Sequence, residues 1–144
     1  MRLISLEDIK KIIPGIDLFP IIKEGFVAYS SGNAVVPPVG EMTFDNPQGD
    51  VHIKYGYIKD DKYFVVKIAS GFYGDSDKGI IPTQGGMMLL FDKRTGKELA
   101  ALVDECYLTN IRTAVAGGIC AEILAPEKIN CIGVIGTGVQ ARMQ

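Results

Sequence analysis

One histidine, His52, and three cysteines, Cys106, Cys120 and Cys131, are the only imidazole and thiol ligands that the 144 residues offer a transition metal. There is no Cys-x-x-Cys, so no metal site is expected. An odd, small number of cysteines in apolar contexts also speaks against a disulfide framework. They read as reduced core residues of a cytoplasmic protein. Charge of one sign is scarce too: 15 basic against 17 acidic residues leave a net charge of -2. That gives no sign of a nucleic-acid or membrane-surface partner. No apolar run approaches the ~20 residues of a membrane span, and Met1-Arg2-Leu3-Ile4-Ser5 lacks the apolar core of a signal peptide. Repeats and low-complexity segments are absent. What is abundant is apolar material, 47% of the chain, ample for the core of one ordinary domain.

The chain opens with helical signals. Ser5 followed by Asp8 resembles a capping box, so a short helix is expected from Leu6 to Ile13, stopping before Pro14. From Asp17 to Tyr29, Leu18, Ile21, Ile22, Phe26 and Tyr29 recur at helical spacing. Pro20 falls in the first turn, where it is tolerated, and Gly32 marks the stop. Val35-Val36-Pro37-Pro38 is extended, Met42 to Phe44 reads as a short edge strand, and Asn46-Pro47-Gln48-Gly49 as a turn.

The next segment is the most regular. Val51, Ile53, Tyr55 and Tyr57 alternate with His52, Lys54 and Gly56. Asp60-Asp61 marks a turn, and a second strand runs from Tyr63 to Ser70. An even loop pairs Ile53 with Ile68, Tyr55 with Val66 and Tyr57 with Phe64, a consistent apolar face; an odd loop destroys the match. The same register sets Lys54 across from Lys67 and His52 across from Ala69. Opposed lysines repel. Either both are solvated on an open face, or they floor a cationic pocket for an anion, with one pKa lowered by its neighbour. Lys67 is the better candidate for the second role, because its strand is otherwise apolar on both faces.

Gly71 to Gly79 reads as a loop and Ile80 to Gly86 as an irregular stretch. Met87 to Phe91 is a strand, Lys93 to Lys97 a turn, and Leu99 to Asp104 its partner. Strands without intervening helices predict an antiparallel sheet and an α+β fold. Thr109 can cap a helix from about Asn110 to Leu124, ended by Pro126. Arg112 then lies in its first turn, where a cation is unfavourable unless solvated or needed for an anion. The small residues of Thr113-Ala114-Val115-Ala116-Gly117-Gly118 suit close packing. Last comes an apolar run, Ile129 to Ile135, expected as a buried strand, leading into Gly136-x-Gly138-x-x-Ala141. That is the glycine-rich turn of a dinucleotide-binding βα unit, with phosphates held by the amides at the helix start. The acidic residue that holds the ribose, about 20 residues further on, has no position before Gln144. The expected division is therefore a first domain over residues 1–126 and the opening of a truncated Rossmann domain over 127–144.

Pro82-Thr83-Gln84-Gly85-Gly86-Met87-Met88-Leu89-Leu90-Phe91-Asp92, then Leu108-Thr109-x-x-Arg112-Thr113-Ala114, then Gly136-Thr137-Gly138-Val139-Gln140-Ala141 strongly resemble the ornithine cyclodeaminase/mu-crystallin family. The resemblance implies an N-terminal substrate and dimerisation domain, its antiparallel sheet pairing with that of a second subunit, followed by a Rossmann domain for NAD or NADP. It implies that Lys67 is the active-site lysine, that Arg112 pairs with the substrate α-carboxylate bidentately, and that Thr83 lines the same site. It implies that Gly136, Thr137, Gly138, Val139, Gln140 and Ala141 hold the cofactor. In ornithine cyclodeaminase, hydride passes from the α-carbon to NAD, ammonia leaves on cyclisation of the imine, and hydride returns to give proline. Relatives reduce ketimines or pyrroline carboxylates, or oxidatively deaminate simple amino acids.

Two departures bear on these implications. Pro37-Pro38-Val39-Gly40-Glu41 lacks the arginine the family usually carries there for the carboxylate, which weakens ornithine as the specific substrate; His52 and Lys54 are the candidate replacements. The catalytic aspartate of the cyclodeaminases falls beyond Gln144, with most of the cofactor site. A chain of these residues alone is expected neither to bind NAD tightly nor to turn over. A function of another class follows from that, a non-catalytic ligand-binding or dimerisation module.

Overall fold

The capping box at the start forms as the sequence predicts. The Ser5 hydroxyl accepts the Asp8 N–H at 3.2 Å, and the Asp8 carboxylate accepts the Ser5 N–H at 3.3 Å. Helix α1 then covers Leu6–Ile12 and ends in a 3-10 turn, Ile13–Gly15. Asp17 caps α2, Leu18–Ser30, by accepting the Phe19 N–H at 3.2 Å. Gly32, just past its end, has φ +74°, a conformation glycine adopts without steric cost. These elements come from a computed structural model that describes residues 1–74 and 83–144.

Among the described residues, one seven-stranded sheet organises the rest. Its strands are β1 (Arg2–Ile4), β2 (Ala34–Val35), β3 (Gly40–Asp45), β4 (Gln48–Ile58), β5 (Tyr63–Phe72), β6 (Thr83–Asp92) and β7 (Glu98–Val103). The order is β1-β7-β6-β5-β4-β2, with β3 also on β4. The long β4 carries β3 along its first half and β2 at its end. All pairs are antiparallel except β1 with β7. That parallel strand, three residues long, has too little pattern to be read from the sequence.

The even loop is the one that forms. Ile53 pairs with Ile68, Tyr55 with Val66, Lys54 with Lys67 and His52 with Ala69. Two boundaries differ from the sequence reading. Ser70, Gly71 and Phe72 pair with Gly85, Gln84 and Thr83, so β5 runs past Ser70 and β6 begins before Met87. Glycine is a poor strand former alone, but ladder pairing decides the outcome here. The remainder of the expected loop, residues 75–79, and Ile80 to Pro82 lie outside the described residues.

Alternation across this register sorts the sheet into two faces. One carries Met42, Val51, Ile53, Tyr55, Phe64, Val66, Ile68, Leu89 and Phe91. The rings of Phe64 and Phe91 stack there at 4.6 Å. Lys54 and Lys67 stand on the other face.

Helix α3 spans Tyr107–Leu124, which corrects two expectations. Thr109 does not cap it. It is the third helical residue, and its enclosed hydroxyl makes no hydrogen bond of regular geometry. Its N-cap position is Cys106, which supplies no side-chain bond; the Asp104 carboxylate, two residues earlier, accepts the Leu108 N–H at 3.0 Å instead. A carboxylate reaching from the end of β7 satisfies a helix-start donor and complements the helix dipole, so the helix begins earlier than Thr109 would allow. Arg112 consequently sits in the second turn, not the first. The small residues of α3 do serve packing: the ring of Phe19 in α2 lies against Gly118. Ile9, Ala100, Ala101, Cys106, Ala114 and Ile119 form the buried core.

Ile129 to Ile135 is neither a strand nor buried. No strand among the described residues pairs with it, and Ile132 and Ile135 are 78% and 104% exposed. An extended segment without a ladder partner leaves its amides and apolar side chains to water. Cys120 and Cys131 are likewise exposed; of the three free thiols Cys106 alone is in the core.

Candidate functional site

The register that opposes Lys54 and Lys67 also faces them toward the start of α3. Lys67 is half-buried. Its pKa is lowered first by that burial, then by the Arg112 guanidinium and the Lys54 ammonium, while Cys106 and Asp104 act in the opposite direction. Lys67 on β5 is thus acted on by two further cations, Lys54 opposite it on β4 and Arg112 on α3. A sheet arranged only for stability would not put them together.

The chain is forced into this arrangement at the turn between β7 and α3. Glu105 and Cys106 have φ +47° and +64°, a left-handed conformation that costs a residue with a side chain about 1–2 kcal/mol. The turn presses Cys106 onto β6. A Cβ on Gly86 would meet Cys106 Sγ at 3.1 Å and the Ile68 carbonyl at 3.3 Å, so the strand passes closely only because residue 86 has no side chain. The Cys106 thiol donates to the Gly85 carbonyl at 2.9 Å. Burial pushes the thiol pKa up, as does the Asp104 carboxylate; Lys67 and the Thr109 hydroxyl pull it down. Asp104 is 1% exposed, a buried carboxylate behind the three cations.

The remaining predicted site residues separate. His52 lies on the Lys67 face, one alternation beyond Lys54, and its Nε2 is 3.3 Å from Asp50 Oδ1. Tyr73 also donates to Asp50, which with Glu41 raises the tyrosine pKa. Thr83 opens β6 opposite Phe72, five positions from the Lys67–Met88 pair. Alternation puts Thr83 on the apolar face, so the structure does not bring it to Lys67. Asp104 and Cys106 were missed by the sequence reading. An acid ending an apolar strand before a helix was a usable cap signal; nothing in the sequence marked Cys106 beyond its apolar context.

The glycine turn stands apart, beside the middle of α3. Gly136 has φ +106°, and Gly138 is the N-cap of α4, Val139–Met143. A Cβ at Gly136 or Gly138 would meet nothing within 4 Å, so the backbone there is open to approach. Gln140 ties the turn to α3 by donating to the Asn110 carbonyl at 3.2 Å, and Arg142 donates to the Thr137 carbonyl at 2.9 Å.

Fold and site together define a mixed α/β protein with a cationic cluster on one sheet face and a glycine turn entering a helix. The chain belongs to the ornithine cyclodeaminase/mu-crystallin family, whose model matches residues 3–144. It is 34% identical to an uncharacterised cyclodeaminase of Sinorhizobium fredii, covering 100% of this chain and 44% of that protein. It is 32% identical to an alanine dehydrogenase of Archaeoglobus fulgidus, covering 99% and 42%. Among solved structures, Thermococcus litoralis Δ1-pyrroline-2-carboxylate reductase with NADH and L-proline superposes with a TM-score of 0.86 at 29% identity, over 99% of this chain and 44% of that one. The chain therefore spans less than half the length of the relatives it matches.

Proposed function

We propose that the chain supplies the substrate side of an NAD(P)-dependent enzyme that interconverts an α-amino acid and its imine. Residues 1–126 form the substrate and dimerisation unit, and residues 127–144 open the nucleotide-binding unit. The observation that carries this is the convergence of Arg112 and Lys54 on a half-buried Lys67. Such a cluster is stable when an anion occupies it, and an α-carboxylate suits Arg112, whose planar fork takes both oxygens at once. Lys67, with its proton affinity lowered, exchanges a proton with the substrate nitrogen nearer neutrality than an ordinary lysine does.

The bound nicotinamide would take up or return hydride at the substrate α-carbon. Gly136 to Ala141 fit the pyrophosphate of such a cofactor: the turn is open, and the first amides of α4 have no partner within the helix. The relatives named cyclodeaminase, alanine dehydrogenase and Δ1-pyrroline-2-carboxylate reductase support the same class of chemistry.

Self-association is part of the proposal. Much of the sheet's apolar face, including Tyr55 at 43% exposure, is open, and a second copy would cover it.

Calorimetric titration with pyruvate and L-proline tests the pocket. Lys67→Ala and Arg112→Ala are each expected to weaken carboxylate binding at least about tenfold. Unchanged affinity in both variants would remove the basis for this function.

A further inference from the structure

The cluster holds more positive charge than one carboxylate neutralises. Lys67 and Lys54 stand directly opposite each other on β5 and β4, and the charge of Arg112 on α3 acts on Lys67. Among the described residues, Asp104 is the carboxylate that acts back on Lys67, and it is enclosed and already engaged by the Leu108 N–H. Farther along the same face, Asp50 is taken by His52 and Tyr73. Glu41 stands opposite His52 on the exposed edge strand β3, beyond Lys54.

A substrate carboxylate offsets one cation. A further positive charge on the substrate side chain then enters a field that is still positive, to which the exposed Lys54 ammonium opposite Lys67 contributes. A neutral or acidic side chain meets no such penalty. We propose that Lys54 is a specificity-determining residue that selects α-amino and α-imino acids whose side chain carries no cation, and disfavours diamino acids such as ornithine and lysine. This rests on Lys67 and Arg112 forming the carboxylate site. Lys54 is solvent-exposed, so its field is screened and its effect is moderate, about tenfold in affinity.

Norvaline and ornithine share a five-carbon skeleton and differ by the terminal ammonium, which makes them the probes. Calorimetric titration of the purified protein is expected to give about tenfold tighter binding of L-norvaline than of L-ornithine. Lys54→Met should shrink that ratio, and Lys54→Glu should abolish or invert it, with circular dichroism showing the sheet intact. Equal or tighter ornithine binding in the unsubstituted protein would overturn the proposal, as would a ratio that Lys54→Glu leaves unmoved. If norvaline, ornithine and pyruvate all fail to bind, the carboxylate site itself is refuted, and the selectivity falls with it.

Discussion

The two faces of the sheet are built from the same strands and answer to different demands. On one, Val51, Ile53, Phe64, Val66, Ile68, Leu89 and Phe91 form an unbroken apolar surface with stacked rings at its centre. On the other, Lys54 and Lys67 oppose each other, next to a turn with two left-handed residues and a buried acid. The first face gains free energy by being covered. The second spends it, on like-charge repulsion and backbone strain, to hold an arrangement that only a bound anion relieves.

The largest effect should come from putting the wrong chemistry on the apolar face. Val66→Lys places a charge between Tyr55 and Leu89. It is expected to weaken self-association at least about 100-fold, roughly 2.7 kcal/mol, as read by sedimentation equilibrium. Lys54→Glu, one residue off on the neighbouring strand but on the opposite face, should leave the mass unchanged. Identical behaviour of the two variants would break the contrast between the faces.

Next in size is the buried acid behind the cations. Asp104→Ala removes the side-chain bond to the first turn of α3 and the countercharge of Lys67 together. The expected loss is about 2 kcal/mol of unfolding free energy, measured by urea denaturation. A loss below about 0.5 kcal/mol, the range of an ordinary surface substitution, would mean that the carboxylate supports neither.

Much of this contrast was legible before the structure. Alternation from Val51 to Tyr57 and the Asp60-Asp61 turn set the register, and the register alone opposed the two lysines. Arg112 drew attention as a cation near a helix start, although the start itself lay elsewhere. The failures share one cause, a dependence on partners distant in sequence. Gly71 joins a strand because Gln84 is beside it. Ile129 to Ile135 has the composition of a strand and lacks a neighbour among the described residues. Asp104, not Thr109, bonds the first turn of α3 because a turn of unusual backbone brings it into reach. Thr83 is assigned to the pocket by family resemblance, yet parity along β6 sends it to the other face.

The smallest effect concerns proton linkage, and it isolates the polar face. The folded pKa of Lys67 lies below its unfolded value. Between the two, the unfolded chain holds a proton that the folded chain has released, so this lysine makes stability rise with pH across that window. At lower pH the group is charged in both states and its full destabilisation is present. The window lies below the ordinary lysine value of about 10.4. Cys106 works against this trend. Its folded pKa is raised, so the folded state keeps a proton the unfolded state loses, and stability falls with pH in the thiol's own range. Total slopes therefore mix both groups. The difference between the unsubstituted protein and Lys67→Met cancels every group except Lys67 and those its charge acts on, Cys106 among them. Lys67→Met is expected to be the more stable of the two at neutral pH, with the gap closing as pH approaches that of a free lysine, by chemical denaturation at a series of pH values. A gap constant with pH would place the Lys67 ammonium in ordinary solvent, and the charged face would then differ from the apolar one in composition but not in strain.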